Sequence, residues 1–508
     1  MSKSLATFTL LSLLLILLGI NRGFDISDEG LYALLAVPAQ ENIAGIFNYD
    51  LFFKFFYKIS GIEFGLVGLR LLRLFLYFLA GAALTVFWGN LSGTKKFSSN
   101  HFLIATLGLF AGYGFLPQTL SYNSLTVVLA CFWLAVISTQ KKNMLQYFLL
   151  GFLLSCFAYV KITACLGLGL LTLLWMLNNK EIKFNRMLGL IIPFMMIELL
   201  MYLCLGDFAF SRMIEAKELM GNRSSYSLLF LAKYELVGGF WIFLAAIPFF
   251  LAGSLFHSSP KLKIAILLTG VLALSYIAYF TSITQEWNHV ILLVTAALVA
   301  YYIPKFQFTT TSPNQRFLFL SLFILPFVLH FGSNVYWLRL GIHFWVFWIF
   351  AILFVFDSIQ LKFRNAIHFA VGGLSFLLVL NGIWVHPFEQ ESLWNATEEW
   401  SYGNGNKLLL SPAQLDLLNT LKPFVQNRKE LLAVYRIPGI PYLFNKTSPK
   451  TPGFWDRSQT DYFFPSDFQT DLLIYYPLDS LPSLVKDDFS VKYAQLPDGN
   501  KIQILWKR

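Results

Sequence analysis

Long apolar stretches alternate with short polar connections over most of the chain. The apolar runs fall near residues 4–20, 66–89, 102–117, 120–138, 145–160, 163–178, 187–206, 236–256, 264–281, 288–303, 317–331, 335–356 and 366–385. Roughly 20 helical residues cross a hydrocarbon layer, so this pattern predicts about 13 transmembrane helices. The basic positions sort the connections. Lys3, Lys95/Lys96, Lys141/Lys142, Lys180/Lys183/Arg186, Lys261/Lys263, Lys305/Arg316 and Lys362/Arg364 occupy alternate ones, whereas 117–120, 282–287 and 332–334 carry no Lys or Arg. Basic connections stay on the cytoplasmic side. The N-terminus is therefore expected in the cytoplasm, with loop 21–65, loop 207–235 and the C-terminal region outside.

Two outer segments have patterns of their own. NYDLFFKFFYKIS (48–60) interleaves Phe and Tyr with Lys54 and Lys58. It reads either as a helix lying along the membrane interface or as an amphipathic helix buried within its own loop. After His386-Pro387 the chain turns richer in Pro, Asp and Asn, with no further apolar run. Ser411-Pro412 marks a helix start. LLAVYR (431–436), DLLIYYP (471–477) and the hairpin VKYAQL-PDGN-KIQILW read as strands. The expected fold is thus a polytopic α-helical membrane protein: a transmembrane domain over 1–386 and a small extracytoplasmic α/β domain over 387–508. No internal repeat or low-complexity tract is visible.

Composition supports the membrane class. Of 508 residues 56% are apolar, 18% aromatic and 13% charged, about half the charge density of a soluble chain. The net charge of +10 sits in short clusters between apolar runs, which points to membrane connections and away from nucleic acid. Cys131, Cys156, Cys165 and Cys204 lie within apolar runs at no metal-ligand spacing and read as packing residues. Residues 5–20 resemble a signal peptide. Asn21-Arg22-Gly23 follow them in place of a small-residue cleavage site, so the first run is expected to be retained.

Ionisable groups near apolar runs are the candidates for chemistry. In GFDISDEGLYALL (23–35) Ser27 can cap a helix whose first turn holds Asp28 and Glu29, where the dipole favours acids. The same group, Asp25, Asp28 and Glu29, can instead supply a carboxylate that accepts the proton of an incoming hydroxyl. Lys161, between the fifth and sixth runs, is either a snorkelling lysine or a cation for a lipid phosphate. Arg339 in SNVYWLRLGIHFW offers a fork geometry suited to phosphate, with His330 and His343 along the same stretch. His289 opens the tenth run beside Glu286. By the charge-derived topology Asp28, Lys161, His289 and Arg339 share the outer side. Glu198 is mid-run with no assigned role. Loop 207–235, with Asp207, Arg212, Glu215, Lys217, Glu218, Arg223, Lys233 and Glu235, reads as a solvated helical loop that could help close a cleft. No HExxH or paired Cys/His spacing suggests zinc.

These features resemble the GT-C class of glycosyltransferases, which includes protein O-mannosyltransferases and the lipid A aminoarabinose transferases. The matching elements are the acidic FDISDEGLYAL in the first outer loop, the aromatic segment after it, GLVGLRLLRLFLYFLAGAAL (65–84) with Arg70 and Arg73, and Tyr159-Val160-Lys161-Ile162-Thr163. The resemblance implies an inverting transfer of a sugar from a polyprenyl-phosphate donor to a hydroxyl of a glycan, lipid or protein, in a bacterial inner membrane. Asp28, or Asp25 or Glu29, would be the base. Lys161, Arg339, His289 and Arg70 would hold the phosphate, and Tyr32, Tyr122, Asn123 and Glu286 the sugar or acceptor. Some relatives are thought to use a divalent cation such as Mg or Mn. Where relatives often carry a second acid, this chain has Gln118-Thr119-Leu120-Ser121-Tyr122-Asn123, a departure that bears on any metal site. The rival classes are a transporter or lipid flippase, which would want polar or broken helices near the midplane and repeat symmetry, and a polysaccharide polymerase or ligase, which would want a large outer loop between late spans.

Overall fold

The computed structural model describes residues 2–94, 96–139, 143–221, 227–255, 259–283, 286–306, 311–361, 364–403, 405–465, 470–485 and 489–507. Lys95, Lys141, Lys142, Lys362 and Arg223 lie outside the described residues, as do the side chains of Glu218 and Arg364.

A helix lies at each of the thirteen apolar stretches. Among the described residues seven are long and apolar enough to cross a membrane: Gly65–Ser92, Phe184–Leu205, Leu228–Ser254, Pro260–Ile283, Asn288–Lys305, Trp337–Ser358 and Asn365–Val385. Lys3–Leu18, Tyr122–Ile137, Met144–Val160 and Ile162–Asn178 are apolar but shorter. Burial runs from 6% along Pro260–Ile283 to 89% along Trp337–Ser358, which puts the first at the rim and the second at the centre. Leu268, Leu272 and Tyr276 stand exposed on the rim helix. Such side chains suit lipid, which offers no water for them to avoid.

Three interruptions shape the interior. The third stretch leaves α-helix at Phe110, passes through a tight turn at Ala111–Gly114 and ends before Pro117. Helix ends leave carbonyls without partners, and in an apolar interior these must be met by side chains. Arg73, fully buried on Gly65–Ser92, donates to the carbonyls of Gly112 (3.0 Å) and Pro117 (2.6 Å) and packs over the Tyr113 ring at 4.1 Å. The twelfth stretch is a short helix Trp337–Leu340, a turn Gly341–Phe344 and a second helix Trp345–Ser358. Between Met144–Val160 and Ile162–Asn178 a single extended residue, Lys161, breaks the helix.

In the first loop Asp50–Ser60 is helical. Asp50 and Leu51 are buried, and Phe52 packs on Tyr159 with ring centres 4.9 Å apart. Phe56, Tyr57 and Ile59 are exposed. One face is thus anchored and the other open, an arrangement intermediate between the two alternatives read from the sequence.

After Val385 the chain forms strands β1 (Glu398–Tyr402), β2 (Asn406–Leu410), β3 (Ala433–Val434), β4 (Leu472–Tyr475), β5 (Phe489–Gln495) and β6 (Lys501–Lys507). β1 and β2 make a hairpin. The other four form a sheet in the order β3-β4-β6-β5, parallel between β3 and β4 and antiparallel elsewhere. The strand expected over 431–436 shortens to two residues, and the β1–β2 hairpin was not anticipated. Ser411 closes a capping box on Pro412–Val425, as its sequence suggests.

This C-terminal segment is stitched to the acidic motif through the main chain. Leu409 N donates to Asn21 O (2.9 Å), Gly23 N to Leu409 O (2.8 Å) and Gly439 N to Ile26 O (2.7 Å). Gln414 Nε2 adds a bond to Phe24 O at 2.6 Å. The first-loop helix Asp28–Leu35 then packs backbone to backbone on Gly439–Leu443: a Cβ on Gly30 would lie 2.2 Å from Gly439 N.

Candidate functional site

The three acids of the first loop have three different surroundings. Asp25 is fully buried and caps the helix: its Oδ1 accepts from Ser27 N (2.8 Å) and its Oδ2 from Glu29 N (3.0 Å). Ser27, expected as the cap, makes no cap bond, because Asp25 already takes the free N–H groups. Glu29 is fully buried against Arg70, with Nε to Oε1 at 3.0 Å and Nη2 to Oε2 at 2.9 Å. Thr119 Oγ1 also donates to Oε1, and Asp25 N to Oε2 at 3.1 Å. Arg70 spends its remaining donors on the carbonyls of Ile20 (3.0 Å), Arg22 (2.9 Å) and Gly23 (2.8 Å). A guanidinium has five N–H donors, and all five are used inside the motif, leaving none for a phosphate.

Asp28 differs. Its carboxylate makes no hydrogen bond to any described side chain or main-chain group, and it lines a cavity of about 560 Å³. Tyr32, Tyr122, Asn123 and Arg339 line the same cavity. Burial pushes the Asp28 carboxyl up to about 7; the charge of Glu389 adds to the rise and Arg436 opposes it. Burial also raises Asp25, with the charge of Asp28 next in weight. Burial disfavours the ionised form of a carboxyl, and a like charge does the same.

The cavity wall has aromatic and polar parts. Tyr122 stacks on Phe47 with ring centres 4.2 Å apart and meets Tyr32 edge-on at 6.1 Å. Asn123 is buried, and its Oδ1 has no hydrogen-bond partner among the described residues. Arg339, half exposed, pairs through Nε with Glu286. It also lines a smaller space of about 220 Å³ with Glu286 and His289. His289 is buried, its Nδ1 4.0 Å from Glu286 and its Nε2 unpartnered among the described residues. Phe115, Leu116, Arg339 and Phe388 border both spaces.

Lys161 is placed otherwise than the sequence suggested. Its Nζ donates to Leu329 O (2.7 Å), His330 O (2.9 Å) and Ser333 Oγ (2.9 Å). An ammonium has three donors, so this one is filled by the turn that leads to Arg339. It reaches the site only as a cation 5.8 Å from the Tyr122 ring centre. His330 bridges Glu235 (2.5 Å) and Val335 O (2.9 Å), and His343 binds Phe115 O at 2.9 Å. Both tie elements together. Glu198 accepts from Phe210 N at 3.4 Å. Arg212 joins loop 21–65 to loop 207–235, reaching Asp50 at 2.8 and 2.9 Å and Asp207 at 2.6 Å.

Sequence reasoning missed Glu389 and Arg436, which line the cavity and pair at 2.8 Å. Trp455 and Asp456 line it too. The only local signal was the composition change after Pro387, just before Glu389; Arg436 was hidden at the end of an expected strand. Among the described residues no three of His, Cys, Asp and Glu converge as a metal-ligand set. Glu389 is committed to Arg436 and Asp25 to main-chain N–H groups. These donors do not fit a divalent cation beside Asp28.

Fold and cavity together describe a multi-helix membrane protein with an acid and an arginine facing one enclosed space, walled on one side by the C-terminal segment. No protein-family model matches the sequence, and no curated protein matches it. Among solved structures, the crystal structure of ArnT from Cupriavidus metallidurans bound to undecaprenyl phosphate aligns over 98% of this chain and 97% of that one, with TM-score 0.44 and 11% identity. The chemistry assigned below rests on the residues of the cavity.

Proposed function

We propose that this chain is an integral membrane glycosyltransferase that moves a sugar from a polyprenyl-phosphate donor to an acceptor hydroxyl. In this reading Asp28 accepts the hydroxyl proton and the oxygen attacks the anomeric carbon with inversion. The bond from that carbon to the phosphate oxygen breaks, and polyprenyl phosphate leaves with the electron pair. The observation that carries the proposal is that Asp28, alone of the three motif acids, faces the cavity without a hydrogen-bond partner among the described residues, with Arg339 lining the same cavity. A base whose proton affinity lies near neutral pH is suited to taking a proton in the transition state.

Arg339 binds the donor phosphate and stabilises its growing charge, with His289 beside it. Tyr32, Tyr122 and Asn123 face the sugar or acceptor. Lys161, filled by the turn that leads to Arg339, positions Arg339 and does not touch the phosphate; Arg70 fixes the motif. No step passes through a metal ion. The site opens on the extracytoplasmic side with residues 387–508, the thirteen apolar helices form the membrane part, and the N-terminus is cytoplasmic.

The test is Asp28→Asn in cells. Transfer is expected to stop while the protein still inserts, and the lipid-linked donor should accumulate in mass spectra of extracted lipids. Unchanged glycan products would remove Asp28 as the base.

A further inference from the structure

The chain after the last apolar helix brings to the cavity an ion pair that the reaction above leaves without a task. Arg436 Nη2 donates to Glu389 Oε1 at 2.8 Å, and both side chains are about two-fifths exposed, on the cavity side. That bond is the one side-chain hydrogen bond of Arg436 among the described residues. Both residues hold left-handed backbones, with φ of +48° at Glu389 and +55° at Arg436. Non-glycine residues adopt that conformation at a cost, and it persists where the surroundings fix it. Here Arg436 N is held by Phe454 O at 2.9 Å. The next residues along, Pro438 and Gly439, press on the Asp28 helix at Gly30. The backbone that carries Arg436 is thus tied to the segment that packs on the helix bearing Asp28.

We infer that Arg436 and Glu389 are positioning residues for Asp28: the C-terminal segment supplies a matched pair of charges that sets how readily Asp28 holds a proton. This inference rests on the assignment of Asp28 as the base. The groups that face Asp28 can be named. Asp25 comes from its own loop, Tyr32 from the next turn, Glu389 and Arg436 from the chain after the last apolar helix, and Asp456 and Arg339 from the remaining walls. Of these, Glu389 and Arg436 line the same cavity as Asp28, pair with each other at 2.8 Å and carry opposite charges, so each acts on Asp28 in the opposite sense to the other.

Because the charges oppose, the variants separate this role from simple damage. Dicyclohexylcarbodiimide adds to protonated carboxyls in apolar surroundings, so labelling at Asp28 against pH, separated from labelling at Asp25 by fragmentation in the mass spectrometer, reports its protonation without any substrate. Purified wild type should show a labelling midpoint near neutral pH. Glu389→Gln should move the midpoint down and Arg436→Met should move it up, each by about 0.5–1.5 pH units, a threefold to thirtyfold change in proton affinity. The double variant should return toward wild type, and Arg436→Lys should hold the wild-type value. Midpoints that stay fixed, or that move the same way in both single variants, would overturn the inference while leaving Asp28 in place as the base. If Arg436→Met fails to fold, Glu389→Gln alone still decides. Failure of the glycosyltransferase reading shows separately, as unchanged glycan products in Asp28→Asn cells.

Discussion

At the scale of single residues the motif divides its labour by what each carboxylate already holds. Asp25 caps, Glu29 pairs, and Asp28 is left to the cavity. The spacing of acids at 25, 28 and 29 was legible in the sequence; which of them faces open space was not. That is decided by Arg70 and Thr119, remote in the chain, whose donors fill Glu29. The division carries three predictions. Asp28 must lose its proton to act as a base, so transfer by membranes should rise with pH up to about 7 and level off above it. The opposite profile, falling through that range, would mean that the protonated form is the active one. The same shift has a stability sign. A carboxyl raised in the folded state contributes stability that is present below its unfolded value, near 3.8, and lost as pH rises through about 7. Asp28→Asn should therefore melt higher than wild type at pH 8 and no higher at pH 4. Glu29→Gln should do the reverse of a catalytic variant: it strands a buried guanidinium and should lower stability by about 3 kcal/mol, read as a drop in melting temperature in detergent.

At the scale of elements, apolar periodicity was enough to place a helix at each of the thirteen stretches. It could not show where those helices break, because the breaks are made tolerable by side chains from elsewhere. Arg73 serves the turn after Phe110, and Lys161 serves the carbonyls at Leu329 and His330. A lysine at the end of an apolar run looks alike whether it holds a phosphate or three neighbouring acceptors. The β1–β2 hairpin was missed although Asn404-Gly405 is a turn signal in the sequence, flanked by short strands of mixed polarity. The contact between Gly30 and Gly439 belongs to this scale as well. No residue with a Cβ fits there without moving one element off the other. Gly30→Ala is expected to loosen the docking of Gly439–Leu443 on Asp28–Leu35 and to cut transfer at least tenfold, since a misplacement of about 1 Å near a reacting centre has that order of effect. Limited proteolysis gives the check: cleavage near 439–445 should be faster than in wild type, and an unchanged pattern with full activity would count against the docking as described.

At the scale of the whole molecule, the cavity is assembled from parts far apart in sequence. The first loop supplies Asp28, the interrupted twelfth stretch supplies Arg339, and the chain after Val385 supplies Glu389 and Arg436. This distribution is why the sequence pointed to the first two and was silent on the third, since nothing local marks a charge that faces a loop at the other end of the chain. It also makes a demand on topology. Residues 21–35 and 387–508 are joined by main-chain hydrogen bonds at Asn21, Gly23 and Ile26, so they must lie on one side of the membrane. The basic connections must then lie on the other side, if the orientation drawn from their charges is right. Cysteine labelling can settle this. Cys131 and Cys165 are buried and Cys156 and Cys204 partly so, and all four can be replaced by serine or alanine to give a silent background. A single cysteine at the exposed Ser458 should then react with a membrane-impermeant maleimide in intact spheroplasts. One at the exposed Lys96 should react only after the membrane is opened. Reaction at both positions in sealed spheroplasts would overturn the orientation drawn from the basic connections, and reaction at Lys96 alone would place the Asp28 cavity on the cytoplasmic side. A lipid-linked donor would then have to be used before it crossed the membrane.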